Sequence, residues 1–231
     1  MKFDVGELAR MIDLSAVRAD VDLAEVQRLA EVCAQYQCVC AFVMPCYMPQ
    51  LKQLLTDTPG VGLGGVVGFP SGAQNTALKV AETHSHAELG ATEIDMVINV
   101  GMLKSENDDY VAEDIQAVVD AAAKIPVKAI LEVHHLSDEE IVRASQIAVE
   151  AGAAFVKTGT GWAPTGATLH NVRLIKQTVG DRAQVKAAGG VRDLATIVEL
   201  HQLGATRFGL GIDSGIAILE ECAATARKVN V

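Results

Sequence analysis

The sequence predicts a (β/α)8 TIM barrel. Three observations lead there. Short apolar runs alternate with stretches of helical period along the whole chain. Eight such runs occur, at residues 11–14, 38–44, 61–69, 93–99, 127–134, 154–158, 184–187 and 206–210. No G-x-G-x-x-G opens a helix after the first long run, so the dinucleotide-binding form of the rival fold, an open doubly wound sheet, is unsupported.

Each element has its own signal. Residues 23–36 read L-x-x-V-x-x-L-A-x-V, a helical period, and residues 76–89, 110–123, 138–151, 169–178 and 194–203 read similarly. Ser137 followed by Asp138, Glu139 and Glu140 marks a helix N-terminus, with acids placed to meet the positive end of the helix dipole. Gly90, Gly152, Gly180 and Gly204 end four helices, and a strand soon follows each. Strand–helix units recurring at this rate imply parallel strands joined by right-handed crossovers. No linker or composition shift divides the 231 residues, so one barrel domain over 1–231 is expected.

Bulk properties exclude several classes. A net charge of −10 argues against a nucleic-acid or anionic-membrane surface, while leaving room for a local anion site. No apolar run is long enough to span a bilayer. The opening Met1-Lys2-Phe3-Asp4 carries no signal-peptide core, so a cytoplasmic location is expected. Cys33, Cys38, Cys40 and Cys46 lie close together but lack a paired C-x-x-C, and read as small thiols rather than zinc ligands. Small barrels often form dimers, so a homodimer is one arrangement open to the chain.

Lys157 ends the apolar run Ala153-Ala154-Phe155-Val156 and opens into Thr158-Gly159-Thr160-Gly161. An ammonium at the end of a buried strand is costly unless it is paired or used. The same desolvation lowers a lysine's pKa, and a neutral amine is a nucleophile. Lys186, in Val185-Lys186-Ala187-Ala188-Gly189-Gly190, has the same setting. Two such amines on neighbouring strands would repel as ammoniums, which points to Schiff-base chemistry on a carbonyl compound. The bland alternative is that each lysine pairs with a core carboxylate. Side-chain alternation along strands brings further residues together. If the faces bearing them point inward, Asp13, Asp95, Asn99, Lys128, Glu132, Lys157 and Lys186 converge.

The late loops carry a second signal. Thr160-Gly161, Gly189-Gly190 and Ser214-Gly215 offer bare backbone N–H groups, and the late loops of barrels are their usual phosphate site. Metal chemistry has weaker support. His84 and His86 sit at i and i+2 of a helix, and His134 and His135 fall on opposite sides of a strand. His134 and Trp162 could each face a substrate or serve the structure.

These residues resemble the deoxyribose-phosphate aldolase family of class I aldolases. The resemblance runs from Ile12 to about Leu219. Its most specific pieces are Glu93-Ile94-Asp95-Met96-Val97-Ile98-Asn99, Phe155-Val156-Lys157-Thr158-Gly159-Thr160-Gly161 and Val185-Lys186-Ala187-Ala188-Gly189-Gly190-Val191-Arg192. It implies reversible cleavage of 2-deoxy-D-ribose 5-phosphate to glyceraldehyde 3-phosphate and acetaldehyde, with no metal or organic cofactor. It implies Lys157 as the Schiff-base lysine, Lys186 as the lysine that perturbs it, and Asp95 as the acid/base acting through a bound water. The chain departs from the family at Asp13-Leu14-Ser15, at Ala41-Phe42-Val43-Met44-Pro45, where the family usually has Val-Cys-Val-Asn-Pro, and at Val133-His134-His135. It departs most at Gly209-Leu210-Gly211-Ile212-Asp213-Ser214-Gly215, a last loop two residues longer and with an added acid. A carboxylate beside a phosphate repels it, so an aldolase acting on a non-phosphorylated or different hydroxy-carbonyl substrate is the alternative. A metal-dependent barrel enzyme and a phosphate-binding isomerase are more distant ones.

Overall fold

Eight parallel strands close on one another in sequence order in the computed structural model, which describes residues 3–227. Residues 1–2 and 228–231 of the expected 1–231 domain lie outside the described residues. The strands are β1 (Ile12–Ala16), β2 (Cys40–Val43), β3 (Gly62–Val67), β4 (Glu93–Val97), β5 (Val127–Ile130), β6 (Phe155–Lys157), β7 (Gln184–Ala188) and β8 (Ala205–Gly211). All eight apolar runs therefore form strands. Most ends differ by a residue or more, and β3, β4 and β5 stop well short of the predicted ends.

Helices cover the outside: α1 (Val5–Ala9), α2 (Leu23–Tyr36), α3 (Met48–Leu54), α4 (Thr76–Leu89), α5 (Val100–Lys104), α6 (Asp108–Ala122), α7 (Asp138–Glu150), α8 (Leu169–Val179), α9 (Leu194–Gln202) and α10 (Ile212–Arg227). The predicted start of α7 is a capping box: Ser137 accepts from Glu140 N–H while Glu140 accepts from Ser137 N–H. Gly90 ends α4 at φ +90°, a left-handed conformation that glycine adopts without a Cβ clash. The short α1, α3 and α5 carry too few turns to show a period in the sequence.

Aliphatic side chains from the strands' outer faces and the helices' inner faces form the main core. One ion pair is sealed within that layer. Lys79 of α4 meets Asp114 of α6 at 2.5 Å and also donates to the Val97 carbonyl at the end of β4. Both side chains are fully buried, so the pair ties two helices to the strand that carries Asp95. Inside the barrel a smaller apolar cluster includes Cys40, Phe42, Val66, Val97 and Ile130. Strand register sets the level of the charged groups within. Asp95 is opposite Lys128, Ile130 is opposite Lys157, and Lys157 is opposite Lys186.

Candidate active site

Strand alternation turns Asp13, Asp95, Lys128, Lys157 and Lys186 into the barrel, where they form one connected charge layer. Lys157 Nζ donates to Asp95 Oδ2 at 2.7 Å, and Lys186 Nζ meets the same oxygen at 2.6 Å. Lys186 also meets Asp13 Oδ2 at 2.6 Å, as an ion contact rather than an aligned hydrogen bond. Lys128 reaches Asp95 Oδ1 at 2.9 Å and Asp13 Oδ2 at 3.6 Å. Two residues that sequence reasoning did not select complete the layer. Glu93 of β4 binds Lys128 at 2.6 Å, and Arg207 of β8 binds both Asp13, at 2.7 Å, and Glu93, at 2.8 Å.

Four cationic side chains thus face three carboxylates. The layer is neutral when one cation gives up its proton, and the geometry singles out Lys157. Lys157 meets one carboxylate, Lys186 and Arg207 each meet two, and Lys128 meets three. Burial lowers the Lys157 pKa most. Lys186 and Lys128 push the same way and Asp95 resists, which leaves the amine at about 8. Burial alone would raise Asp95, but Lys128, Lys157 and Lys186 outweigh it and hold the carboxyl well below the ordinary range. Asp13 is likewise held down by Lys186, Lys128 and Arg207 against its own burial. Lys128 is pushed up, because Asp95, Asp13 and Glu93 outweigh its desolvation.

Above this layer opens a cavity of about 240 Å³, small for a binding site and suited to a compact substrate. Asp13, Asp95, Lys157 and Lys186 face it, and so do Thr160, Gly161, Gly189, Gly190 and Ser214. Gly189 and Gly190 have φ of +86° and +91°, which aims their backbone in a way a side chain would oppose. Arg18 and Arg192 stand at the same end.

Four of the grouped residues lie elsewhere. Lys128 is fully buried within the charge layer. Asn99 caps α5 by accepting from Met102 N–H. Glu132 follows β5 with φ +54° and turns its carboxylate to the Thr160 N–H and hydroxyl, bracing the loop after Lys157. Gly215 lies within α10, where an added Cβ would collide with Leu14.

The last glycine-rich segment is not the extended loop that the sequence suggested. β8 runs through Gly211 and α10 begins at Ile212. The helix start turns Asp213 outward to Arg28, which it meets at 2.6 Å, while Ser214 faces the cavity. The predicted repulsion between Asp213 and a bound phosphate therefore loses its basis. Trp162 covers the top. Its indole N–H donates to the Val17 carbonyl at 2.9 Å, and its ring meets Phe69 edge-on at 6.1 Å, so it spans from the β6 loop to the β1 loop. His134 binds the Thr165 hydroxyl outside the cavity, and His86 binds the Val66 carbonyl. Among the described residues no three His, Cys, Asp or Glu side chains form a metal cluster, and no helix is long and apolar enough to cross a membrane.

Fold and site together define a class, a (β/α)8 barrel with a buried amine at the floor of a small open cavity. The model of the DeoC/LacD family of aldolases matches residues 1–221, and the chain belongs to that family. A deoxyribose-phosphate aldolase of Sinorhizobium medicae is 47% identical over 218 residues, covering 94% of this chain and 88% of the relative. One of Klebsiella pneumoniae is 47% identical over 215 residues, covering 92% of this chain and 86% of the relative. The solved deoxyribose-phosphate aldolase of Aeropyrum pernix, described as a unique tetramer, superposes with a TM-score of 0.87 at 28% identity, covering 96% of this chain and 93% of that one.

Proposed function

We propose that the chain cleaves 2-deoxy-D-ribose 5-phosphate reversibly to glyceraldehyde 3-phosphate and acetaldehyde through a Schiff base on Lys157. The observation that carries this is a lysine amine held at about 8, at the floor of a cavity, beside an ionised carboxylate and a second lysine. Neutral Lys157 attacks the C1 aldehyde of the open-chain sugar, and loss of water gives an iminium. The bond between C2 and C3 then breaks, its electron pair flows into the iminium to form an enamine, and the C3 hydroxyl loses its proton. Glyceraldehyde 3-phosphate leaves. The enamine carbon takes a proton, and water hydrolyses the resulting iminium to release acetaldehyde.

Asp95 is ionised at neutral pH, so it enters the cycle as the base, acting on the C3 hydroxyl through a water. The proton that Asp95 takes is the one the enamine carbon then needs, and Lys186, 2.6 Å from Asp95 Oδ2, is a cation that helps hold the carboxylate ionised between the two transfers. The phosphate would lie against the backbone of Gly189 and Gly190 and the Ser214 turn, with Arg18 and Arg192 at the rim. The family relationship and the outward turn of Asp213 both support a phosphorylated substrate.

The test is reductive trapping with acetaldehyde and cyanoborohydride, followed by peptide mass mapping. An ethyl adduct on Lys157 is expected. An adduct on Lys186 alone would reverse the two roles, and none on either lysine of the folded protein would sink the Schiff-base reading.

A further inference from the structure

Phe42 is the chain's bulkiest departure from the family pattern on β2, and it is buried against the charge layer. Its ring lies on the pocket wall, with Lys186 Nζ 4.4 Å and Lys128 Nζ 4.7 Å from its centroid. Gly64 of β3 makes the space, since a Cβ there would stand 2.6 Å from the ring's Cγ. A second ring, Phe155, lies 5.7 Å from Lys128 Nζ and 5.4 Å from Arg207 Cζ. Three of the four interior cations therefore sit within cation–π range of an aromatic ring. Among the described residues, Lys157 is the interior cation with no such ring.

We propose that Phe42 is a positioning residue that, together with Asp13, sets which amine of the Lys157–Lys186 pair carries the charge, seating Lys186 as the ammonium and leaving Lys157 as the nucleophile. The face of an aromatic ring attracts an ammonium and gives nothing to a neutral amine. An ammonium seated on Phe42 also raises the cost of a second charge at Lys157 across the β6–β7 pairing. Of the other charged groups facing the pair, Asp95 and Glu93 do not discriminate between the two amines and Asp13 does. Asp95 of β4 touches both amines, and Glu93 is committed to Lys128 and Arg207. Asp13 of β1 favours Lys186, in the same sense as the ring. Among the described residues β3 contributes no charge here, and β2 adds only the buried Cys40 thiol, which burial raises well above its ordinary range. The inference rests on the Schiff-base reading for its catalytic consequence, but not for its geometry.

Replacing Phe42 with mono-, di- and pentafluorinated phenylalanine keeps its shape while draining the ring face. Phe42→Leu and Gly64→Ala serve as coarser variants, one removing the ring and one displacing it. NMR of lysine labelled at the ε-carbon follows the Lys157 titration in the free protein, and acetaldehyde trapping maps the adduct. The Lys157 midpoint should climb from about 8 with each added fluorine, by about half a pH unit or more across the series, and the adduct fraction on Lys186 should climb with it. A midpoint unmoved across the series would overturn the inference. Trapping in the unaltered protein keeps the two ideas apart. No adduct there, with a midpoint that still moves, removes the Schiff base and leaves the charge assignment standing.

Discussion

At the residue scale, Lys157 and Asp95 make opposite predictions although they share a hydrogen bond. If Lys157 is removed, Asp95 keeps Lys128 and Lys186 as partners, and three cations face three carboxylates. Lys157→Met should therefore fold normally while losing turnover by about 10⁴-fold or more, as expected for loss of a nucleophile. If Asp95 is neutralised, four cations face two carboxylates in a buried space. Asp95→Asn should cost about 3–5 kcal/mol, the penalty of an uncompensated buried charge. Urea unfolding of both variants decides the matter. A Lys157→Met protein as unstable as Asp95→Asn would make the lysine a structural ion-pair partner. The rate should also follow the Lys157 proton. With the amine at about 8, about a tenth of it is neutral at pH 7 and about half at pH 8, so kcat/KM should rise nearly tenfold from pH 6 to 7, about fivefold from pH 7 to 8, and level above that. A flat profile from pH 6 to 8 would contradict a rate set by that amine.

At the element scale, strand alternation made the site legible wherever a strand persisted, and misled where one ended. Asp13, Asp95, Lys128, Lys157 and Lys186 all lie within strands, and the period of two brought them to one face. Asn99 and Glu132 lie past the ends of β4 and β5, where the backbone has already turned into a cap and into a left-handed residue. Glu93 shares a face with Asp95, and Arg207 with Gly209, so the signal for both was present in the sequence. The β8–α10 junction was misread because Gly209, Gly211 and Gly215 imitate a loop, whereas Gly215 is the small residue that lets α10 pack on Leu14. That misreading produced the expected clash between Asp213 and phosphate. Asp213 instead forms an exposed pair with Arg28. Exposed pairs are worth little, so Asp213→Ser should shift stability by at most about 1 kcal/mol. It should also leave intact a preference for the 5-phosphate over free 2-deoxyribose of at least about a hundredfold, which is what two hydrogen bonds to a charged group supply. Steady-state kinetics on both sugars measures that ratio. A tenfold rise in the ratio on replacing Asp213 would show that the acid does oppose phosphate.

At the scale of the whole molecule, the charge layer sits where the eight strands meet, so its protonation belongs to the stability of the barrel. The folded pKa values of Asp13 and Asp95 are lowered, so their contribution is complete above the ordinary aspartate value and is lost only as pH falls through the lower folded values. Lys128 is raised, so its contribution is complete below the ordinary lysine value and is lost as pH rises past it. Lys157 runs the other way. Its folded pKa is about 8 against an ordinary 10.5, so between those values the unfolded chain binds more protons than the native one, and stability from this group rises with pH. Below pH 8 the barrel bears the full cost of a protonated Lys157, about 3 kcal/mol at 1.36 kcal/mol per pKa unit. The difference in unfolding free energy between Lys157→Met and the unaltered protein cancels the titrating groups outside the charge layer, and within the layer Lys157 is the group whose value of about 8 falls in this window. At pH 7 it should favour the variant by up to about 3 kcal/mol, less whatever packing the methionine fails to restore, and it should shrink steadily between pH 8 and 10. A difference that stays constant across that range would mean that Lys157 titrates normally in the folded barrel, and the amine chemistry assigned to it would lose its physical basis.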